Sequence, residues 1–270
     1  MHGILQIGII TFFCHSLYVV FLRHQSMKAG KSMKKRFVSL LVALSITLTF
    51  LPMGAVAAAP NKITKGDLIY TVNADGESVT VSGTSRKPTQ LTIGSSISDG
   101  NGKSYTVTKI GMGAFNNVRN TLTEVTLPPT LDEIEDSAFF KCSSLTEITI
   151  PEGVTKIGTN AFYGCSQLTS ITIPSTIKNM DAAFPSNPKL SQVTLTNGIY
   201  RISSSAFKDC TGLTEIKVPT SVYEICSDAF NGCTGLTSVT LEKGINIINR
   251  NAFKDCTELN DVKYNGYKTD

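Results

Sequence analysis

The sequence predicts a β-rich solenoid of about seven repeats, because three features recur at a fixed spacing. A Phe that follows an Ala recurs about every 23 residues, a Leu follows most of these Phe residues by six positions, and a strand-like hexamer begins at that Leu. The repeat Phe residues are Phe115, Phe139, Phe162, Phe184, Phe207, Phe230 and Phe253. Each unit supplies too few apolar side chains for a core of its own, so we expect neighbouring units to stack.

Two apolar segments in each unit have the spacing of short strands. The hexamer follows the pattern L-x-x-[VI]-x-[hydrophobic], as in Leu168, Ile171 and Ile173, and several hexamers end at a Pro, which lacks the backbone donor that a ladder needs. A second apolar pair spaced by three residues follows, as in Val154 and Ile157. We expect short strands joined by turns or short helices, with both apolar sets facing one core.

The consensus A-F-x-x-C-x-x-L-T-x-[IV]-T-[IL]-P resembles the BspA-like leucine-rich repeat family of secreted and cell-surface proteins. The resemblance covers residues 105–264 and implies a leucine-rich-repeat solenoid that acts as a binding or adhesion module, since similar proteins attach to host matrix proteins, other cells or surfaces. Two units depart from the pattern: Asn187 replaces the Cys in a unit that is one residue shorter, with Pro185 and Pro188, and Val118 replaces it in the Phe115 unit. We therefore expect an irregular coil near residues 177–190.

The regions before the repeats predict a leader and a cap. Residues 34–36 (KKR), 37–51 (apolar) and 55–59 (AVAAA) follow the order of a secretory signal peptide. We assign residues 1–32 to a non-native or leader extension, 33–58 to the signal peptide, 59–104 to an N-terminal β cap with a hairpin at Asp75-Gly76, 105–264 to the solenoid and 265–270 to a short tail. The alternative for residues 3–22 is a transmembrane helix, since about 20 apolar residues span a bilayer. The expected location is secreted or cell surface, with no membrane span after cleavage.

Charge and composition exclude several classes of function. After residue 59 the chain has 19 basic and 21 acidic residues, about −2, so no basic patch indicates a nucleic-acid partner. All three His residues lie in the leader, which excludes Ser-His-Asp and Cys-His catalytic sites and His-containing zinc sites from the remaining chain. We expect no enzyme activity, no cofactor and no metal, although carboxylate chemistry in a deep pocket stays open.

Five Cys residues recur three positions after the repeat Phe: Cys142, Cys165, Cys210, Cys233 and Cys256. Stacked coils place equivalent side chains about 4.8 Å apart with parallel directions, whereas a disulfide brings Cβ atoms to about 3.8 Å. We therefore predict buried, reduced, structural thiols, with oxidation or metal binding as the alternatives. Cys226 lies off this pattern, in a slot where other units have a Gly, and is interpreted as a small residue at a tight turn.

Candidate partner-binding residues lie at outward positions of the repeats. One outward strand column includes Thr149, Thr172, Lys217 and Thr240, and β-branched residues there also favour strands without any ligand. Two aromatic pairs occupy equal positions in adjacent units: Phe140 with Tyr163, and Tyr200 with Tyr223, the latter beside Arg201 and Glu224. Exposed aromatic pairs can anchor a protein or glycan, although they can equally stabilise loops.

The sequence supports two main hypotheses for function. The first is an extracellular protein-interaction or adhesion module whose partner is a host matrix protein, a glycan or another cell surface. The alternative is a structural spacer or assembly element of a larger cell-surface system without a ligand of its own. An exposed terminal coil that self-associates would favour the alternative.

Overall fold

A computed structural model describes residues 62–266, with only the backbone described at Asn179 and Met180. These residues belong to one compact unit, Ala59–Asp270. The predicted leader and signal peptide lie outside the described residues, as does most of the predicted tail. The described chain is a β-solenoid of short strands and turns without an α-helix.

Residues 62–266 form eighteen strands. Those of the N-terminal region are β1 (Lys62–Lys65), β2 (Leu68–Val72), β3 (Ser78–Thr84), β4 (Gln90–Thr92), β5 (Ser96–Ser98) and β6 (Ser104–Ile110). The hexamer strands are β7 (Glu124–Thr126), β10 (Ser170–Ile173), β12 (Gln192–Leu195), β14 (Glu215–Val218), β16 (Ser238–Glu242) and β18 (Asp261–Asn265). The strands of the second apolar pair are β8 (Glu133–Ile134), β9 (Lys156–Ile157), β11 (Asn179–Met180), β13 (Arg201–Ile202), β15 (Glu224–Ile225) and β17 (Ile247–Ile248).

Parallel pairing between equivalent strands stacks the coils. On the hexamer side, β10 pairs with β12 and β14–β16–β18 form a ladder. On the second side, β11–β13–β15–β17 form another ladder. Alternate residues of β10, β14 and β16 are buried between the two sides, as at Ile216 and Val218 of β14, and Ile157, Ile202 and Ile225 of the second pair are buried as well. Both predicted apolar sets therefore face one core.

The predicted hairpin at Asp75-Gly76 is present, since β2 and β3 pair antiparallel around it. Strand β3 of the hairpin also pairs parallel with β6. Strand β6 pairs in turn with β8, and β8 pairs with β9. The N-terminal region therefore extends the second sheet of the solenoid next to the first coil. Val79 and Val81 of β3 are fully buried and continue the repeat core.

The repeat Phe side chains form one continuous stack inside the coils. Neighbouring rings lie with centroids from 4.6 to 5.7 Å apart. Tight turns place each ring inward: Ser205 (φ 60°) and Asp209 (φ 59°), two positions before and after Phe207, both adopt the left-handed conformation. The Phe207 amide then donates to the Ala229 carbonyl of the next coil at 2.8 Å, so the turns form a third hydrogen-bonded side.

The coil predicted to be irregular interrupts both sheets. The register from β10 to β12 joins Ser170 to Gln192, which is one residue short of the offset between Glu215 and Ser238. Among the described strands, β9 does not pair with β11 and β12 does not pair with β14. The 22-residue offset falls within two strand pairs that form, β10 with β12 and β11 with β13, and the two interruptions lie on either side of this short coil.

Two local predictions were wrong. The hexamer after Leu145 forms a single bridge, between Glu147 and Glu124, and not a strand. Ile248, predicted to face the core, is 47% exposed because no further coil covers it within the described residues. Phe253 on the same coil is only partly buried against the core.

Candidate partner-binding faces

Tyr200 and Tyr223 lie side by side on the second face of the solenoid. The Tyr223 amide donates to the Tyr200 carbonyl at 2.9 Å, and the following residues pair as β13 and β15. Their side chains are 59% and 46% exposed. The structure thus confirms that these tyrosines are surface residues on adjacent coils, and the ladder fixes the spacing of their backbones.

Arg201 and Glu224, predicted beside these tyrosines, form an ion pair. Arg201 Nε lies 2.7 Å from Glu224 Oε2, and Glu224 Oε1 accepts from Asn249 Nδ2 at 2.6 Å. The guanidinium also donates to Cys226 Sγ at 3.3 Å. This network orients the charged side chains beside the tyrosines, while Arg201 itself stays exposed.

Phe140 and Tyr163 form a second aromatic pair on the turn side. Their rings stack with centroids 5.1 Å apart and planes 15° from parallel, as predicted. Lys141 Nζ lies 5.4 Å from the Phe140 ring centroid, within cation–π range. Both aromatic side chains are half-buried, so they offer a partner less surface than Tyr200 and Tyr223 do.

The outward column of the hexamer strands is broken in two places. Thr149, Thr172 and Lys217 are exposed and Thr240 is half-buried. Lys217 and Thr240 are neighbours in the ladder, but Thr149 is not paired with Thr172, and Thr172 is separated from Lys217 by the break between β12 and β14. The four residues thus occupy outward positions, as the repeat pattern indicated, and backbone pairing links only Lys217 with Thr240 among them.

The break opens a polar groove on this side of the solenoid. The groove has a volume of about 900 Å³. Its lining includes Gln192, Thr194, Glu215, Lys217 and Thr240. Lys217 is held at its rim by Glu242, with Nζ 3.0 Å from Oε1. The groove brings two predicted binding residues together and adds polar neighbours that the repeat pattern did not indicate.

The repeat cysteines pack inside the coils, as predicted, and the six cysteines of residues 62–266 form no disulfide. Four thiols donate to the carbonyl of the repeat Phe in the preceding coil; for example, Cys233 Sγ lies 3.1 Å from the Phe207 oxygen. Burial raises the pKa of Cys142 and of Cys210 to about 12. These groups are therefore neutral structural thiols and not nucleophiles.

Sequence reasoning missed a charged ladder on the second face. Glu133 binds two lysines from the flanking coils, with Lys109 Nζ at 2.7 Å and Lys156 Nζ at 2.6 Å. Burial alone would raise the pKa of Glu133, but hydrogen bonds from both lysines outweigh it and lower the pKa below 4.5. The sequence did contain an indication of this ladder, because Lys109, Glu133 and Lys156 alternate in charge at equal positions of three successive repeats.

Among the described residues, no helix is long and apolar enough to cross a membrane. Residues 3–22, for which a transmembrane helix was the alternative, lie outside this part of the chain.

Comparisons with known proteins place the chain in a family. The model of the BspA type leucine rich repeat region matches in six copies, over residues 101–209 and 180–269. A T. pallidum leucine rich repeat protein is 22% identical over 74% of this chain and 91% of that chain, with a TM-score of 0.51. A leucine-rich repeat protein from Bacteroides capillosus is 30% identical over 50% of this chain and 98% of that chain, with a TM-score of 0.46. A leucine rich cell surface protein from Faecalibacterium prausnitzii is 19% identical over 78% and 96%, with a TM-score of 0.38. A search among curated proteins found no match.

The chain belongs to the BspA type leucine-rich repeat family, because the family model matches more than half of its length. The T. pallidum protein has the same fold. Repeat solenoids of this kind are typically not enzymes and present long side-chain columns to partners. Fold and family are thus consistent with a protein-interaction module.

Proposed function

We propose that this chain is an extracellular protein-interaction or adhesion module that binds a protein or glycan through the face carrying Tyr200 and Tyr223. The observation that carries the proposal is the exposure of two large aromatic side chains on adjacent, hydrogen-bonded coils. Tyr combines apolar area with a hydroxyl and loses little conformational entropy on binding, which makes it a frequent anchor at interfaces.

The charged neighbours support this face over the other candidates. Arg201 is exposed and its guanidinium is already oriented by Glu224, so a partner would meet a positioned donor beside the aromatic rings. Phe140 and Tyr163 are half-buried, and the Thr149–Thr172 column is interrupted. The aromatic pair, the two threonines and the groove at Lys217 and Thr240 are therefore weaker candidates for contacting the partner.

The proposed location is outside the cell or on its surface, and the proposed partners are host matrix proteins or the surface of another cell. The signal peptide predicted at 33–58 and the family support this location. Retention on a surface would need a further element, for which the described residues offer no indication.

The test is binding of Ala59–Asp270, which contains the whole described core, to a panel of matrix proteins, mucins and glycans. Three double variants map the face: Tyr200→Ala/Tyr223→Ala, Phe140→Ala/Tyr163→Ala and Thr149→Ala/Thr172→Ala. The proposal expects saturable binding that the tyrosine variant loses and the threonine variant keeps. Loss in the threonine variant with retention in the tyrosine variant would move the site to the hexamer side, and absence of binding by the unmodified protein would favour a spacer.

A further inference from the structure

The last described coil, residues 245–265, exposes side chains that the repeat pattern directs into the core. Val262 and Tyr264 pair in register with Val239 and Leu241, which are buried. Nevertheless, Val262 is 60% and Tyr264 59% exposed. Of the seven large hydrophobic side chains that residues 62–266 expose, four lie on this coil: Ile247, Ile248, Val262 and Tyr264. The exposed apolar surface is thus concentrated at one end of the repeat stack.

The same coil presents an unpaired strand edge. β18 pairs with β16 on one side, and none of the other described strands pairs with its second side. An unpaired edge of five residues with apolar side chains on one face is a template for another strand. The unpaired backbone groups and the exposed apolar side chains therefore lie at the same end of the stack.

Charges on the outward face of β18 indicate which strand would fit. Asp261 and Lys263 flank Val262 and point away from the core. In an antiparallel pair of two β18 strands centred on Val262, Asp261 of each copy lies opposite Lys263 of the other. A pair centred on Lys263 would instead place two lysines opposite each other, which is unfavourable. The strand is therefore complementary to itself in one antiparallel register.

We propose that this end of the solenoid is a self-association surface, closed by the same end of a second copy of the chain through antiparallel β18–β18 pairing centred on Val262. A two-fold axis normal to the sheet keeps the inward faces of both strands on the same side, so Val262 and Tyr264 of both copies extend one core. The Lys263–Asp261 contact within one copy, with Nζ 2.8 Å from Oδ2, becomes shared with the partner strand. This surface is separate from the tyrosine face, so it can be tested independently of binding there. Self-association is also what the alternative function, an assembly element, requires.

The test exploits charge exchange between copies. Asp261→Lys and Lys263→Asp each create two like-charge contacts across the two-fold axis, so each variant alone should raise the dissociation constant of the dimer at least about tenfold. Mixing the two variants restores opposite charges in both contacts, because one copy then carries two lysines and the other two aspartates. Sedimentation equilibrium of Ala59–Asp270 over a range of concentrations gives the dimer dissociation constant for each variant alone and for their mixture.

The control is Lys62→Asp, a charge reversal in β1, at the other end of the strand order, which should leave the dimer unchanged. The fold of the test variants should persist, because their neighbours in β16 are the uncharged Ser238 and Thr240, and circular dichroism checks this. Dimerisation of the unmodified protein, weakening in each variant and recovery in the mixture would support the proposal. A monomer at every concentration, or variants that stay dissociated when mixed, would overturn it.

Discussion

Asn187 Nδ2 lies 3.0 Å from the carbonyl oxygen of Phe162, so an amide fills in one coil the place that a thiol fills in others. In the next coil Cys210 Sγ lies 3.2 Å from the Phe184 oxygen. Asn187 Nδ2 also donates to the Phe184 oxygen at 2.7 Å, while its buried Oδ1 has no partner among the described residues. In five coils the residue three positions after the repeat Phe is a small hydrogen-bond donor, so Asn187 and these Cys residues meet a packing and hydrogen-bonding requirement. After Phe115 the same slot is filled by buried Val118, whose side chain packs without donating.

Replacing Asn187 tests this requirement. Asn187→Ala should lower the free energy of unfolding by about 1–3 kcal/mol, because it removes a donor from two buried carbonyls. Asn187→Cys should cost less, since a thiol can still donate to Phe162 and the unpaired Oδ1 disappears. Urea denaturation of both variants measures the difference. Equal losses for Ala and Cys would show that hydrogen bonding in this slot is unimportant.

The Phe stack should dominate stability, whereas the exposed tyrosines should not. Phe162 stacks between Phe139 and Phe184, with centroids 5.0 Å away on both sides. Phe162→Ala should lower the free energy of unfolding by about 3–5 kcal/mol through the cavity it leaves. Tyr200→Ala and Tyr223→Ala should each change it by no more than about 0.5 kcal/mol. Thermal unfolding followed by circular dichroism compares them, and a tyrosine pair as costly as Phe162 would contradict the surface assignment.

Thiol reactivity should follow burial. Cys142 and Cys210 are fully buried with a pKa of about 12, so almost no thiolate forms at pH 8. Cys256, on the last coil, is partly buried and should be alkylated first in the native protein. Iodoacetamide labelling at increasing denaturant concentration, followed by mass spectrometry, gives the order in which the cysteines react. Rapid native labelling of Cys142 or Cys210 would mean that the coils open or that these thiols are activated.

The fold could be predicted from the sequence because the period, the Phe residues and the hexamers recur in register, and each recurrence places one side chain in one layer of the core. The irregular coil near residues 177–190 was predictable for the same reason, since that unit is one residue short of the period. The acceptors of the Cys thiols were not predictable, because they are backbone carbonyls of the preceding coil, whose position depends on the left-handed turns around each Phe.

The candidate site was predictable only in part. Equal repeat positions placed Tyr200 beside Tyr223 and Phe140 beside Tyr163, but exposure depends on side-chain packing that a pattern does not specify. The outward positions of the Thr column followed from the repeat pattern, but which of them are linked by backbone pairing did not, since pairing stops between β12 and β14. The groove beside Lys217 lies where this pairing stops.

The charged ladder predicts a pH dependence of stability. The pKa of Glu133 is lower in the folded protein than its ordinary value of 4.5, so its contribution to stability is present above about pH 4.5 and is lost as the pH falls through the folded pKa. Glu133→Gln should therefore destabilise the protein at pH 7 and lose most of this effect near pH 3. Urea denaturation at both pH values measures the loss of unfolding free energy in the variant. If this loss is the same at pH 7 and pH 3, the two lysine contacts are not its source.

Glu135→Gln is a suitable control for that experiment. Glu135 accepts from the Met112 amide at 2.9 Å and has no lysine within ion-pair distance among the described residues. Its effect on the free energy of unfolding should depend less on pH than that of Glu133→Gln. An equal dependence in both variants would point to a general effect of net charge.

The measurement that tests the central claim most directly is a binding titration of Tyr200→Ala/Tyr223→Ala against the unmodified Ala59–Asp270, using whichever matrix protein or glycan that protein binds, with melting temperatures of the same samples. The account predicts at least about tenfold weaker binding, since interface tyrosines commonly contribute more than 1 kcal/mol each, and a nearly unchanged melting temperature. Unchanged affinity in the double variant would contradict the claim that this face binds the partner.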